Sequence, residues 1–148
     1  MCSDSLNDAK IQFINPQDSQ WPRWIEEFLN GREWKSFIWK AEDLRSTMKN
    51  QNYYKEGLLV GSKLVSLVIY QILPENIEII YLETHSAFYR QGRMAFLLGH
   101  LVKKWNQEIW LEVHEANQGA IDFYKSVDFE ICGRRPRYYK DGGDALLM

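Results

Sequence analysis

A chain of 148 residues carrying a net charge of −2, with 45% apolar and 26% charged residues, is sized for one domain over 1–148 and can bury about 70% of its unfolded surface. That balance argues against a nucleic-acid binder working by phosphate neutralisation, and no apolar run approaches the ~20 residues of a membrane span, so neither partner is expected. Cys2 and Cys132 are not spaced as a ligand pair, and no further cysteine accompanies His85, His100 and His114, so neither a metal site nor a disulfide is expected.

Met1 to Lys10 is polar and acidic, without the basic start and apolar core of a secretory leader. A cytoplasmic protein with flexible residues 1–9 is the expectation. Ile11 to Ile14 alternates and is ended by Asn15 and Pro16, which reads as a first strand. Asp18 or Ser19 is then placed to cap a helix with Trp21, Trp24, Ile25, Phe28 and Leu29 on one face, and Asn30-Gly31 supplies its stop. Helical spacing returns from Lys40 to about Lys49. Trp21, Trp24, Trp34 and Trp39 cluster in this region, where large aromatics either fill a core or wall a groove; core is the expected use.

A hairpin follows: Gly57 to Val60, a Gly61-Ser62 turn suited to a type II′ loop, then Lys63 to Ile72. Ile77 to Thr84 is β-branched and aromatic, a further strand. After the stretch Tyr89 to Phe96, the residues Met94, Leu98, Leu101 and Trp105 recur on one helical face as far as about Asn106. Glu108 to Val113 is another strand. Asn117 is placed to cap a helix whose Ala120, Tyr124 and Val127 share a face. Phe129 to Met148 reads as two strands around Lys140 to Gly143.

This order predicts a layered α/β domain in which the fourth and fifth strands, joined by a crossover helix, are parallel neighbours. Ligands in such sheets sit where neighbouring strands part, beside helix N-termini. The strand-to-helix turn at Arg90, Gln91, Gly92 and Arg93 lies at that place. Its unpaired N–H groups and the helix dipole favour a phosphate, and Arg90 and Arg93 flank it. An ordinary turn with two solvated arginines remains the alternative.

In Ile109-Trp110-Leu111-Glu112-Val113 a carboxylate interrupts an apolar strand whose two faces the crossover helices should bury. Glu112 is therefore paired with a cation such as Arg134 or Arg135, exposed in a cleft, or kept for chemistry. Tyr124 falls on the inward stripe of the next helix, either as a core tyrosine or with a use for its hydroxyl.

These residues carry a resemblance. Arg90-Gln91-Gly92 before the Leu97-Leu98 helix, Trp110 to Val113, Asn117 with Ala120, Ile121, Phe123, Tyr124 and Phe129, then Arg134-Arg135 with Tyr138-Tyr139 and Asp144 to Met148, follow one another as in the GCN5-related N-acetyltransferase (GNAT) superfamily. Trp39 to Arg45 also resembles the family's early helix. More closely, the chain resembles bacterial ribosomal-protein-alanine N-acetyltransferases. The resemblance implies the GNAT fold: a mixed central sheet of about seven strands, helices on both faces, splayed between strands four and five.

It also implies acetyl-CoA as co-substrate and an amine acceptor, with a ribosomal-protein N-terminus as the leading candidate. The alternatives are a small-molecule amine, or acyl-CoA binding without catalysis. The diphosphate would rest on Arg90, Gln91, Gly92, Arg93, Met94 and Ala95, and the pantetheine along Leu82, Glu83 and Thr84, with Asn117 contacting the same arm. Glu112 would act as general base and Tyr124, against the thiol end, as general acid. A backbone N–H near Leu82 to Thr84 would hold the developing oxyanion. The chain departs from the family pattern at Tyr89, Met94 and Val127-Asp128. A bulky Met94 leaves room for a diphosphate only if its side chain points away.

Overall fold

A computed structural model describes residues 11–14, 17–30 and 39–148. The expectations for Met1 to Lys10, Asn15, Pro16, Gly31 and Trp34 lie outside the described residues. In chain order the elements are β1 (Ile11–Phe13), α1 (Trp21–Leu29), α2 (Ala41–Met48), β2 (Tyr54–Val60), β3 (Lys63–Ile72) and β4 (Asn76–Thr84). A single 3-10 turn (Ser86–Phe88) leads to α3 (Arg93–Trp105), β5 (Glu108–His114), α4 (Gln118–Ser126), β6 (Gly133–Arg135) and β7 (Ala145–Leu147). Among the described residues no helix is long and apolar enough to cross a membrane.

The seven strands form one sheet in the order β1-β2-β3-β4-β5-β7-β6. All neighbours are antiparallel except β4 and β5, which are parallel as the crossover through α3 requires. Ile77, Ile79, Leu111, Val113 and Leu146 on one face pack with Leu97, Leu98 and Leu101 of α3 and Ile121 and Tyr124 of α4. Leu59, Leu64, Leu67, Ile69 and Tyr81 on the other face pack with Trp21, Trp24, Ile25 and Phe28 of α1 and Leu44 of α2. Trp39 joins this second layer, so these three tryptophans are used as core, as expected.

Two sequence expectations are corrected. Neither Asp18 nor Ser19 caps α1: the cap position is Gln20, without a side-chain bond. The Asp18 carboxylate instead accepts the Gln20 N–H at 2.9 Å, forming a turn ahead of the helix. Nor is β5 buried on both faces, since Trp110 is 36% exposed and Glu112 only half-buried. The reason is topological: α3 and α4 both lie on the face of Ile109, Leu111 and Val113, while α1 and α2 cover β2 to β4 on the opposite face.

Candidate active site

The site begins where β4 and β5 part. They pair only over Asn76 to Ile79 with Glu108 to Leu111. At that point the β3–β4 register slips, leaving Ile80 as an extra residue on β4. A bulge of this kind adds local twist and turns the remainder of the strand away, so the splay expected between strands four and five is present. Further along, the His85 N–H donates to the Val65 carbonyl at 2.8 Å. By the alternation of an antiparallel ladder, the backbone groups of Leu82 and Thr84 then point to the open edge.

Between this edge, the start of α3 and α4 lies a cleft of about 1050 Å³. Its walls include Leu82, Thr84, Arg90, Gln91, Gly92, Arg93, Met94, Ala95, Asn117 and Tyr124, so one cavity gathers residues named from the sequence across forty positions. Arg90 and Gly92 have φ of +59° and +71°. Gly92 adopts this left-handed backbone at no steric cost and no side chain caps α3. The first helical bond runs from the Phe96 N–H to the Gly92 carbonyl at 3.0 Å, so the amides of Arg93, Met94 and Ala95 precede the helical ladder. Met94, 7% exposed, points into the core rather than across these amides.

Arg93 is 5% exposed, and its Nε and Nη1 have no hydrogen-bond partner among the described residues. Burying an unpaired guanidinium costs several kcal/mol, on the order of the desolvation of a single ion. Arg93 lines the cleft next to the bare amides that start α3, and the side chains of Thr84, Gln91, Asn117 and Asp122 line it as well. The arrangement is complementary to an anion.

Two of the candidate residues do not line this cleft. Glu83 does not line it; as the strand alternates, its carboxylate sits on the other face and accepts a hydrogen bond from the Tyr81 hydroxyl. Glu112 also lies on that other face, immediately past the last rung shared by β4 and β5. Of the alternatives read from the sequence, the ion pair is realised. Arg135 Nε is 2.7 Å from Glu112 Oε1, with the glutamate side chain 17% exposed. Arg134 is committed instead to Glu115 and Asp144, at 2.9 and 2.7 Å.

Three tyrosines connect the two sides of the fork. Glu112, as hydrogen-bond acceptor and then as negative charge, holds the Tyr138 phenol above its ordinary pKa. Burial, then the charge of Glu112, pushes Tyr139 up to about 12. Burial, then the neighbouring Tyr139, raises Tyr124 as well. Tyr139 thus stands within electrostatic reach of both Glu112 and Tyr124. A raised phenol remains protonated at neutral pH, a state suited to giving a proton rather than taking one.

The β6–β7 loop carrying Tyr138 and Tyr139 is held by His114. Its Nδ1 accepts the Ala116 N–H at 3.0 Å, so Nε2 carries the proton donated to Asp141 at 2.8 Å. The ring stacks on Tyr139 at 4.8 Å. Arg134 or Arg135 was the cation expected for Glu112, and Arg135 is the one that answers it; no local signal indicated that Tyr138 and Tyr139 would approach the same carboxylate. Asn117 has the cap role its position suggested, accepting the Ala120 N–H at 3.3 Å.

Comparison with known proteins agrees with this geometry. The family model described as Acetyltransferase (GNAT) family matches residues 15–129. The [Ribosomal protein bS18]-alanine N-acetyltransferase of Escherichia coli (strain K12) is 28% identical over 120 residues, covering 76% of this chain and 80% of that protein. The crystal structure of the ribosomal-protein-S18-alanine N-acetyltransferase from Escherichia coli superposes with a TM-score of 0.72 at 24% identity, over 93% of this chain and 90% of that one. An acetyltransferase of the GNAT family from Streptococcus pneumoniae gives 0.64 at 16% identity, over 93% and 95%. The two structures share the fold.

Proposed function

For a chain that belongs to the acetyltransferase (GNAT) family, we propose transfer of an acetyl group from acetyl-CoA to a protein N-terminal α-amine, of the kind its ribosomal-protein-alanine relatives modify. The observation that carries this reading is Arg93, buried with two of its guanidinium nitrogens unpartnered, in the cleft wall next to the bare amides at the start of α3. A diphosphate fits both. Arg90 to Ala95 would hold it, and Leu82 and Thr84 would meet the pantetheine through the open edge of β4. The bound donor supplies an acetyl group activated as a thioester.

The remaining chemistry belongs to the protein. Glu112, at the mouth of the fork, accepts the proton that the amine loses, directly or through one water. Tyr124, kept protonated by burial, gives a proton to the departing sulfur. The amides on the open β4 edge donate to the acyl oxygen. An α-amine suits this base better than a lysine, because its pKa of ~8 lies well below ~10.4.

The test is a mass-spectrometric screen of purified protein and acetyl-CoA against peptides with varied free N-termini, run beside free polyamines and amino acids. A gain of one acetyl group on peptide α-amines is expected. Turnover of small amines alone would overturn the acceptor, and CoA binding without turnover of any amine would overturn the enzymatic assignment.

A further inference from the structure

We propose that Arg135 is a positioning residue that sets the charge state in which the acceptor amine is bound, by neutralising Glu112 before the amine arrives. The inference rests on the acyl-transfer reading above and extends it to a residue with no role there.

Glu112 has two opposed tasks at the fork. It must take a proton from the amine, yet an unpaired carboxylate beside an ammonium stabilises the ammonium and raises its pKa by about 1–3 units. An amine held as an ammonium has no lone pair with which to attack the thioester. Arg135 at 2.7 Å from Oε1 removes this trap. It brings the local charge near zero while leaving the carboxylate able to accept, since Arg135 meets Oε1 and a carboxylate carries about four lone-pair sites over its two oxygens. The proton lost as the N–C bond forms can therefore still pass to Glu112.

The surroundings single out this arginine. The β6–β7 loop presents Tyr138 and Tyr139 to the carboxylate, together with Asp141, which is already bound by His114 and by the Gly143 N–H. From β4 comes Glu78, which accepts from Gln71. On β5 itself His114 lies two residues on, the same side of the strand, engaged with Asp141. From β7 the partner opposite Glu112 is the apolar Leu147. Arg134 cannot substitute, because Glu115 and Asp144 hold its guanidinium. Among the described residues Arg135 is the cation paired with Glu112, and at 56% side-chain exposure it can be replaced without opening the core.

The experiment compares the wild-type chain with R135Q and R135K, measuring kcat and KM for a peptide beginning with alanine across the pH range, at saturating acetyl-CoA. In R135Q the acidic limb of kcat should move upward by about one pH unit. Activity at neutral pH should fall about tenfold and recover at alkaline pH, with KM for the peptide unchanged or lower. R135K should return the limb to the wild-type position. A merely structural role would depress kcat at every pH and lower the melting temperature without moving the limb. A limb that R135Q leaves in place, or that R135K does not restore, overturns the role of Arg135 alone. A wild-type chain that acetylates no peptide overturns the proposed acceptor and this inference together.

Discussion

His114 and Asp141 meet through a 2.8 Å hydrogen bond that ties the end of β5 to the β6–β7 loop. Gly143 sits directly against this contact: a Cβ there would lie 2.3 Å from His114 Nε2 and 3.1 Å from Asp141 Oδ1. Gly143→Ala must therefore displace a ring also held by Ala116 and stacked on Tyr139. A loss of about 1–3 kcal/mol in a denaturant melt is expected. KM for the acceptor should rise more than KM for acetyl-CoA, because the loop faces Glu112 rather than the cleft.

Arg93→Leu separates stability from binding. Replacing a buried guanidinium lacking partners for two of its nitrogens with an apolar side chain should raise the melting temperature of the ligand-free protein, by the equivalent of about 1–4 kcal/mol. The same change should weaken CoA about ten- to hundredfold, the loss of one charge-assisted hydrogen bond. Thermal melts with and without CoA read both effects. A variant that melts lower and binds CoA as before would remove the anion role of Arg93.

Glu112→Gln keeps the shape of the base and removes its capacity for a proton, so kcat should fall about 10²- to 10⁴-fold with the CoA dissociation constant unchanged. Tyr124→Phe should also lower kcat while leaving the fold intact, since its ring packs in the core whether or not the hydroxyl is present. Steady-state kinetics beside equilibrium CoA binding make the distinction. Equal loss of binding and turnover in either variant would contradict the assigned proton transfers.

The β6–β7 loop should loosen only in acid. The Gly143 N–H, then His114, hold Asp141 below its ordinary pKa of 3.8, and the Arg137 N–H, then Arg134, do the same for Asp144. A depressed folded-state pKa contributes stability that is present above the unfolded value and lost as pH falls through the folded one. Amide exchange across 137–144 should stay slow above 3.8 and accelerate below it. Acceleration already near pH 6, about two units higher, would contradict these carboxylates as the anchors.

Much of the cleft was legible because its determinants are local. Gly92 and Asn117 mark helix starts by backbone freedom and side-chain capping, and such signals need no knowledge of distant contacts. The cap of α1 was misplaced because Asp18 bonds within the turn before the helix rather than to its first amides. The exposed face of β5 was misjudged for a different reason. Periodicity shows that Glu112 and Trp110 share a side of the strand, but not that both flanking helices would settle on the opposite side.

The amino-acid sequence by itself determined the order and type of the elements, the parallel pairing of β4 with β5, and the amide-rich turn at Arg90 to Ala95. Hydrophobic period, capping and chain connectivity act over a few residues or follow from handedness. Only the tertiary structure decided that Arg135 rather than Arg134 would answer Glu112, that Glu83 would leave the cleft, and that Arg93 would be buried without partners for two of its nitrogens. Those outcomes depend on which sheet face each side chain reaches and on how a loop folds back across twenty or more residues. Such choices are settled by packing, where adjacent positions with the same chemistry meet different surroundings.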